Sequence, residues 1–106
     1  MSVLKKIQAL SNETRFEIVR LAREHEMSAG EIASRFKLTR PAVSQHLSTL
    51  RAAGLLNERR VGTQRLYIVR AEGFDELAEY VEVYWRPRLQ KLKLAAEAAE
   101  RKKRNE

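Results

Sequence analysis

The sequence predicts a mainly α fold that carries one β-hairpin. Three observations predict it. Apolar residues recur three and four apart in four short segments before residue 54 and in one long segment after residue 73. Between them the period falls to two, on either side of Gly62-Thr63. Polar caps precede three of the short segments.

In order, Val3, Leu4, Ile7 and Leu10 repeat as one face of a first helix. Ser11 and Asn12 offer a cap for a second, from about Glu13 to Glu24, with Phe16, Ile18, Val19, Leu21 and Ala22 expected inside. Ser28-Ala-Gly-Glu31 is a capping box opening a short helix that should bury Ile32, Ala33 and Phe36. After a tight connection at Phe36-Lys37-Leu38, Thr39 caps the next helix. Pro41 in its first turn lacks an amide that would be unpaired anyway, and Gly54 ends the helix. Leu56 to Val61 and Gln64 to Val69 then form the hairpin, with Leu56, Leu66 and Ile68 pointing inward. From Phe74 a long helix follows, in which Pro87 predicts a kink or break. Arg101 to Glu106 should fray. The order is α-α-α-α-β-β-α. A short helix, a tight turn, a second helix and a basic hairpin make a winged helix-turn-helix. The 106 residues suit one domain, with dimerisation helices at about 3–10 and 74–100.

The net charge of +7 is local. Eight basic residues lie between Arg35 and Arg70, against the single acid Glu58, so this stretch holds the whole excess (8 − 1 = 7). A neutral body with one basic segment is the footprint of a polyanion binder. No apolar run approaches a membrane span, the N-terminal apolar stretch is too short for a secretory signal, and there is no cysteine. A cytoplasmic protein without disulfides follows, with no membrane partner.

On the helix after Thr39, Val43, Leu47 and Leu50 form the buried ridge. Arg40, Pro41, Ser44, Gln45, Ser48 and Arg51 face out. Gln pairs with N6 and N7 of adenine, Arg with O6 and N7 of guanine, and Ser with phosphate or base edges; acids, which phosphates repel, are missing from this face. Thr39, with Arg60, Thr63, Gln64 and Arg65 around the hairpin tip, completes the expected DNA-contacting set. His46 borders the core and is read as a packing or hydrogen-bonding residue.

The stretches "ALSNETRFEIVRL", "SAGEIASRF", "LTRPAVSQHLSTLRAAGLL" and "GTQRLYIV" resemble the ArsR/SmtB family of bacterial winged-helix repressors over roughly residues 7 to 92. The resemblance implies a homodimer in a bacterial or archaeal cytoplasm. It binds double-stranded DNA at a palindromic operator, often its own promoter, and releases it on a signal. The metal-sensing members carry paired cysteines at the third helix, where this chain reads Met27 to Ala33. Others carry Asp and His two apart on the last helix, where Asp75 is followed by Leu77. "YWRPRLQKL" resembles the subgroup without metal sites. The two histidines, His25 and His46, sit on different elements, so no metal and no cofactor are expected. No activated nucleophile or phosphate-binding glycine loop is present, which excludes an enzyme.

A 26-residue helix would run about 39 Å. Its stripe Leu77, Val81, Trp85, Leu89 and Leu92 must bury against something. The expected partners are Val3, Ile7 and Leu10 of the first helix and a second copy of the chain. Tyr80, Tyr84 and Trp85 are read as core, the alternative being a small-molecule pocket at the dimer interface. The rival functions are a repressor gated by an effector of unknown identity, a sequence-tolerant DNA organiser, and an adaptor that has lost DNA binding.

Overall fold

The computed structural model describes residues 3–104. The chain divides into two compact units, one ending at Asp75 and the other starting at Glu76.

The first unit opens with α1 (Val3–Leu10) and α2 (Glu13–Glu24). Asn12 caps α2, its side chain accepting from the Arg15 amide at 3.0 Å. A two-residue strand, β1 (Met27–Ser28), comes next and pairs antiparallel with β3, Met27 opposite Tyr67 and Ser28 opposite Leu66. The expected order therefore gains a strand. Two residues are too short to show a period, so β1 left no pattern to read. Ser28 then caps α3 (Ala29–Phe36) in the full capping box with Glu31. One residue thus fixes the start of α3 to the sheet.

Lys37 makes the turn out of α3 in the left-handed conformation, at φ 54°, and the Leu38 amide reaches back to the Ala33 carbonyl at 3.0 Å. Thr39 caps α4 (Arg40–Ala52). At its other end Gly54 has φ +77°. The Gly54 amide donates to Arg51 O and that of Leu55 to Leu50 O, the bond pair of a Schellman motif.

Strands β2 (Leu56–Val61) and β3 (Gln64–Val69) pair across Gly62-Thr63. Gly62 alone of the two loop residues has positive φ, as a type II′ hairpin requires. The sheet order is β1-β3-β2. Directly opposed residues share a face, so Leu56, Glu58 and Arg60 lie with Val69, Tyr67 and Arg65. The inward assignment of Leu66 and Ile68 is corrected: both are half-buried on the opposite face, and the buried residue of β3 is Tyr67.

Ile18, Met27, Ile32, Val43, Leu50, Leu55 and Leu56 form the core. Two helix faces differ from expectation. Phe16 is 56% exposed, at the rim of an apolar groove of about 650 Å³ with Leu10, Val19, Val69 and Phe74. In α1 the buried residues are Lys6 and Ala9, while Leu4 and Ile7 are exposed. Lys6 is 1% exposed and donates from Nζ to Ala53 O at 2.8 Å. It thereby satisfies a carbonyl at the end of α4 that the helix leaves unpaired.

The last helical stretch starts at Ala71, earlier than Phe74, with α5 (Ala71–Tyr80). The Arg70 amide donates to Leu55 O, and Gly73 is buried against the backbone of Gly54. In the second unit a π-helical turn (Val81–Trp85) leads into α6 (Arg86–Arg104). The break expected at Pro87 takes this form. Proline lacks an amide and crowds the carbonyl four residues back, here that of Val83. The wider turn accommodates it, with the Arg86 amide bonding to Val81 O five residues back. The expected fraying at Arg101 is corrected, since α6 continues through Arg104; Asn105 and Glu106 lie outside the described residues. No helix of the described residues is long and apolar enough to cross a membrane.

Candidate nucleic-acid interface

Because Val43, Leu47 and Leu50 are buried, α4 turns the opposite face outward. Thr39, Arg40, Pro41, Ser44, Gln45, Ser48 and Arg51 are all exposed on it. Arg60, Thr63, Gln64 and Arg65 are exposed at the hairpin tip. β1 and the Ser28 cap hold these two parts together. A polar groove of about 480 Å³ runs between them, and Arg40, Ser44, Thr63, Gln64 and Arg65 all line it. The groove has no acidic lining residue. Gly30 lets Arg40 lie against the start of α3: a Cβ at that position would meet the Arg40 guanidinium at 3.3 Å. Thr39, Pro41, Gln45, Arg51 and Arg60 lie outside the groove, and Ser48 lines a separate hollow with Lys5, Gln8 and Arg15.

The hairpin face is graded from root to tip, running Leu56/Val69, then Glu58/Tyr67, then Arg60/Arg65. Arg60 stands directly opposite Arg65, a like-charge pair that repels. Glu58, two residues along on the same face, lies 3.6 Å from Arg65 Nε. Its other oxygen is 3.1 Å from Arg51 Nη1 and accepts from the Tyr67 hydroxyl at 3.3 Å. Burial, and then the Glu58 carboxylate, push the Tyr67 phenol above its ordinary value. On the opposite face Arg59 is bound by Glu26 at 2.6 Å, which removes it from the free cations. Sequence spacing does not reveal these ion pairs, since Glu26 and Arg59 are 33 residues apart.

Behind α4, Arg15 donates from Nε to Ala9 O at 2.7 Å and points Nη1 at His46 Nδ1, 3.4 Å away. A guanidinium only donates, so Nδ1 is the acceptor. Desolvation, and then the Arg15 charge, hold the His46 imidazole below its ordinary value. His46 joins α4 to α2, as its position beside the core ridge suggested. His25 is exposed at the end of α2.

Residues 12–58 match the family model for bacterial regulatory proteins of the arsR family. The transcriptional regulator Rv2034 of Mycobacterium tuberculosis is 37% identical over 78 residues, 74% of this chain and 73% of that protein. Two further relatives match over about half of this chain. The transcriptional activator HlyU of Vibrio cholerae is 43% identical over 54 residues, 51% of this chain and 50% of its own length. The transcriptional repressor SdpR of Bacillus subtilis is 36% identical over 55 residues, 52% of this chain and 61% of its own length. Among solved structures, the homodimeric winged helix-turn-helix DNA-binding domain of a possible ArsR-family regulator from Mycobacterium bovis superposes with a TM-score of 0.65. It is 30% identical, with 76% of this chain and 75% of that one covered. The helix-turn-helix, the hairpin and the acid-free groove between them agree with these likenesses: the chain belongs to the arsR family of DNA-binding transcriptional regulators.

Proposed function

We propose that the chain works as a homodimer in the bacterial cytoplasm, occupies a palindromic operator and represses transcription by excluding polymerase. In this reading α4 enters the major groove. Gln45 and Ser48 meet base edges, Arg40 and Ser44 meet the flanking backbone, and Thr63, Gln64 and Arg65 follow the phosphates at the hairpin. The observation that carries it is the acid-free groove in which Arg40, Ser44 and the hairpin tip converge. Two copies are needed because one α4 reads only a half-site, and successive major grooves lie about 34 Å apart. The exposed apolar residues Ile7, Val81, Trp85, Leu89 and Leu92 supply surface for pairing, together with Val3, Leu10 and Leu77.

Footprinting of the purified protein on the DNA upstream of its own gene tests this. A protected, two-fold symmetric site is expected, with a reporter behind that site silenced by the protein. Equal affinity for random DNA would select the sequence-tolerant organiser instead, and a reporter that rises with the protein would make it an activator.

A further inference from the structure

We infer that Glu58 is a specificity-determining positioning residue: its carboxylate holds Arg51 and Arg65 back from phosphates that lack the operator sequence. The inference rests on the DNA-binding reading above. Its basis is the placement of the one acid in the basic segment. Glu58 side-chain exposure is 21%, while its two partners are about half exposed, at 48% and 56%. The carboxylate is therefore fixed and the guanidiniums are within reach of a ligand. Tyr67, itself buried, anchors the carboxylate through its hydroxyl. One partner, Arg51, continues the Ser44–Ser48 row in the last turn of α4. The other, Arg65, lines the groove at the hairpin. Glu58 thus ties the end of the reading helix to the hairpin, and it occupies two cations that a phosphate would otherwise take.

Random DNA rewards only phosphate neutralisation. There, a guanidinium already paired with a carboxylate gains little by exchanging one anion for another. Arg40 and Arg60, which have no carboxylate partner among the described residues, keep their full effect on any sequence. On the operator the same tether orders Arg51 above the groove before binding. This lowers the rotamer entropy that a free arginine would lose. The acid therefore weakens the wrong complexes more than the right one.

The test compares the wild-type dimer with Glu58→Gln on operator and random duplexes over a range of salt. Two free arginines per protomer make about four phosphate contacts, so log K against log[salt] on random DNA should slope near −4 for the wild type. Glu58→Gln frees the other two and should steepen it toward −7, with random-DNA affinity at physiological salt rising by at least about 10-fold. Operator affinity should rise less, so the ratio of the two falls. Tyr67→Phe, which removes only the hydroxyl donating to Glu58, should move the slope the same way by a smaller amount. A slope and affinity on random DNA unchanged in Glu58→Gln overturn the inference. So does an equal gain on both duplexes, or a loss on both in a variant with a wild-type melting curve. A wild type that binds neither duplex overturns the functional reading itself, and both fall.

Discussion

His46 shows how a single ring is set by its surroundings. Its folded value lies below the ordinary 6.5, because burial and the facing Arg15 both disfavour the imidazolium. The unfolded chain then binds more protons than the folded one on the acid side of neutrality, so stability rises with pH there. The contribution is complete above about pH 6.5 and is lost as pH falls through the lowered folded value. The melting temperature should accordingly fall as the pH drops below about 6.5, and His46→Gln should flatten that part of the profile while leaving the carboxylate region below about pH 4 unchanged. A profile identical in the two proteins would place the acid sensitivity elsewhere. The role of His46 was legible from its place between Val43 and Leu50, but Arg15 was not, since 31 residues separate the two. Lys6 is the sharper lesson. Read by type it belongs outside, and the apolar residues around it belong inside. The fold reverses this for α1, because a donor was needed for the Ala53 carbonyl and the small Ala9 could sit against the core.

Helices and turns were legible wherever a cap or a glycine announced them, which covers α2, α3, α4 and both long strands. β1 and the start of α5 were not, because each is fixed by tertiary bonds, to β3 and to the Gly54–Leu55 backbone. The Gly54–Gly73 meeting belongs to this scale. A Cβ on Gly73 would stand 1.9 Å from Gly54 O, far inside contact distance, and the obstacle is backbone that cannot rotate away. Gly73→Ala should cost on the order of 1–3 kcal/mol of folding stability, as overpacking does, even though alanine is the better helix former. A denaturant midpoint equal to that of the wild type would show that the two segments separate freely. The division of labour between α4 and the hairpin is checked by two other variants. Gln45→Ala should weaken operator binding by about 1–3 kcal/mol and random-DNA binding much less. Arg60→Ala should weaken both more evenly. Equal losses throughout would mean that α4 is not the reading helix.

In the proposed function the whole molecule holds two reading helices at a set distance. Its candidate interface was readable as a stripe, but a single chain leaves it unpaired. Trp85 is 47% exposed and Leu92 67% in one copy. Burying an aromatic or leucine side chain contributes roughly 1.5–3 kcal/mol, and two-fold symmetry repeats each contribution. Trp85→Ala should therefore shift the protein toward monomer and lower operator affinity in parallel, without Trp85 touching DNA. Sedimentation velocity beside a gel-shift titration reads both. A variant that stays dimeric and binds normally would move the interface to Val3, Ile7 and Leu10.

The π-helical turn at Val81–Trp85 has an effect on how that stripe is phased. An α-helix advances about 100° per residue, so each four-residue step overshoots a full circle by about 40°. Leu77, Val81, Trp85 and Leu89 are spaced by three such steps, and in unbroken α geometry the last would have wandered by about 120°. One turn closed by a bond to the fifth residue back takes in an extra residue and returns about 100° of that drift. The widened turn works as an intercalary day does in a calendar, inserted so that the count stays aligned with the season. The segment should thus tolerate Val83→Ile and yet not tolerate a residue inserted after Val83, with the dimer content read by sedimentation velocity. With one residue more, Leu89 and Leu92 rotate by about 100° to a different side of the rod from Leu77; an inserted variant that stays dimeric would show that the phase of the stripe does not matter.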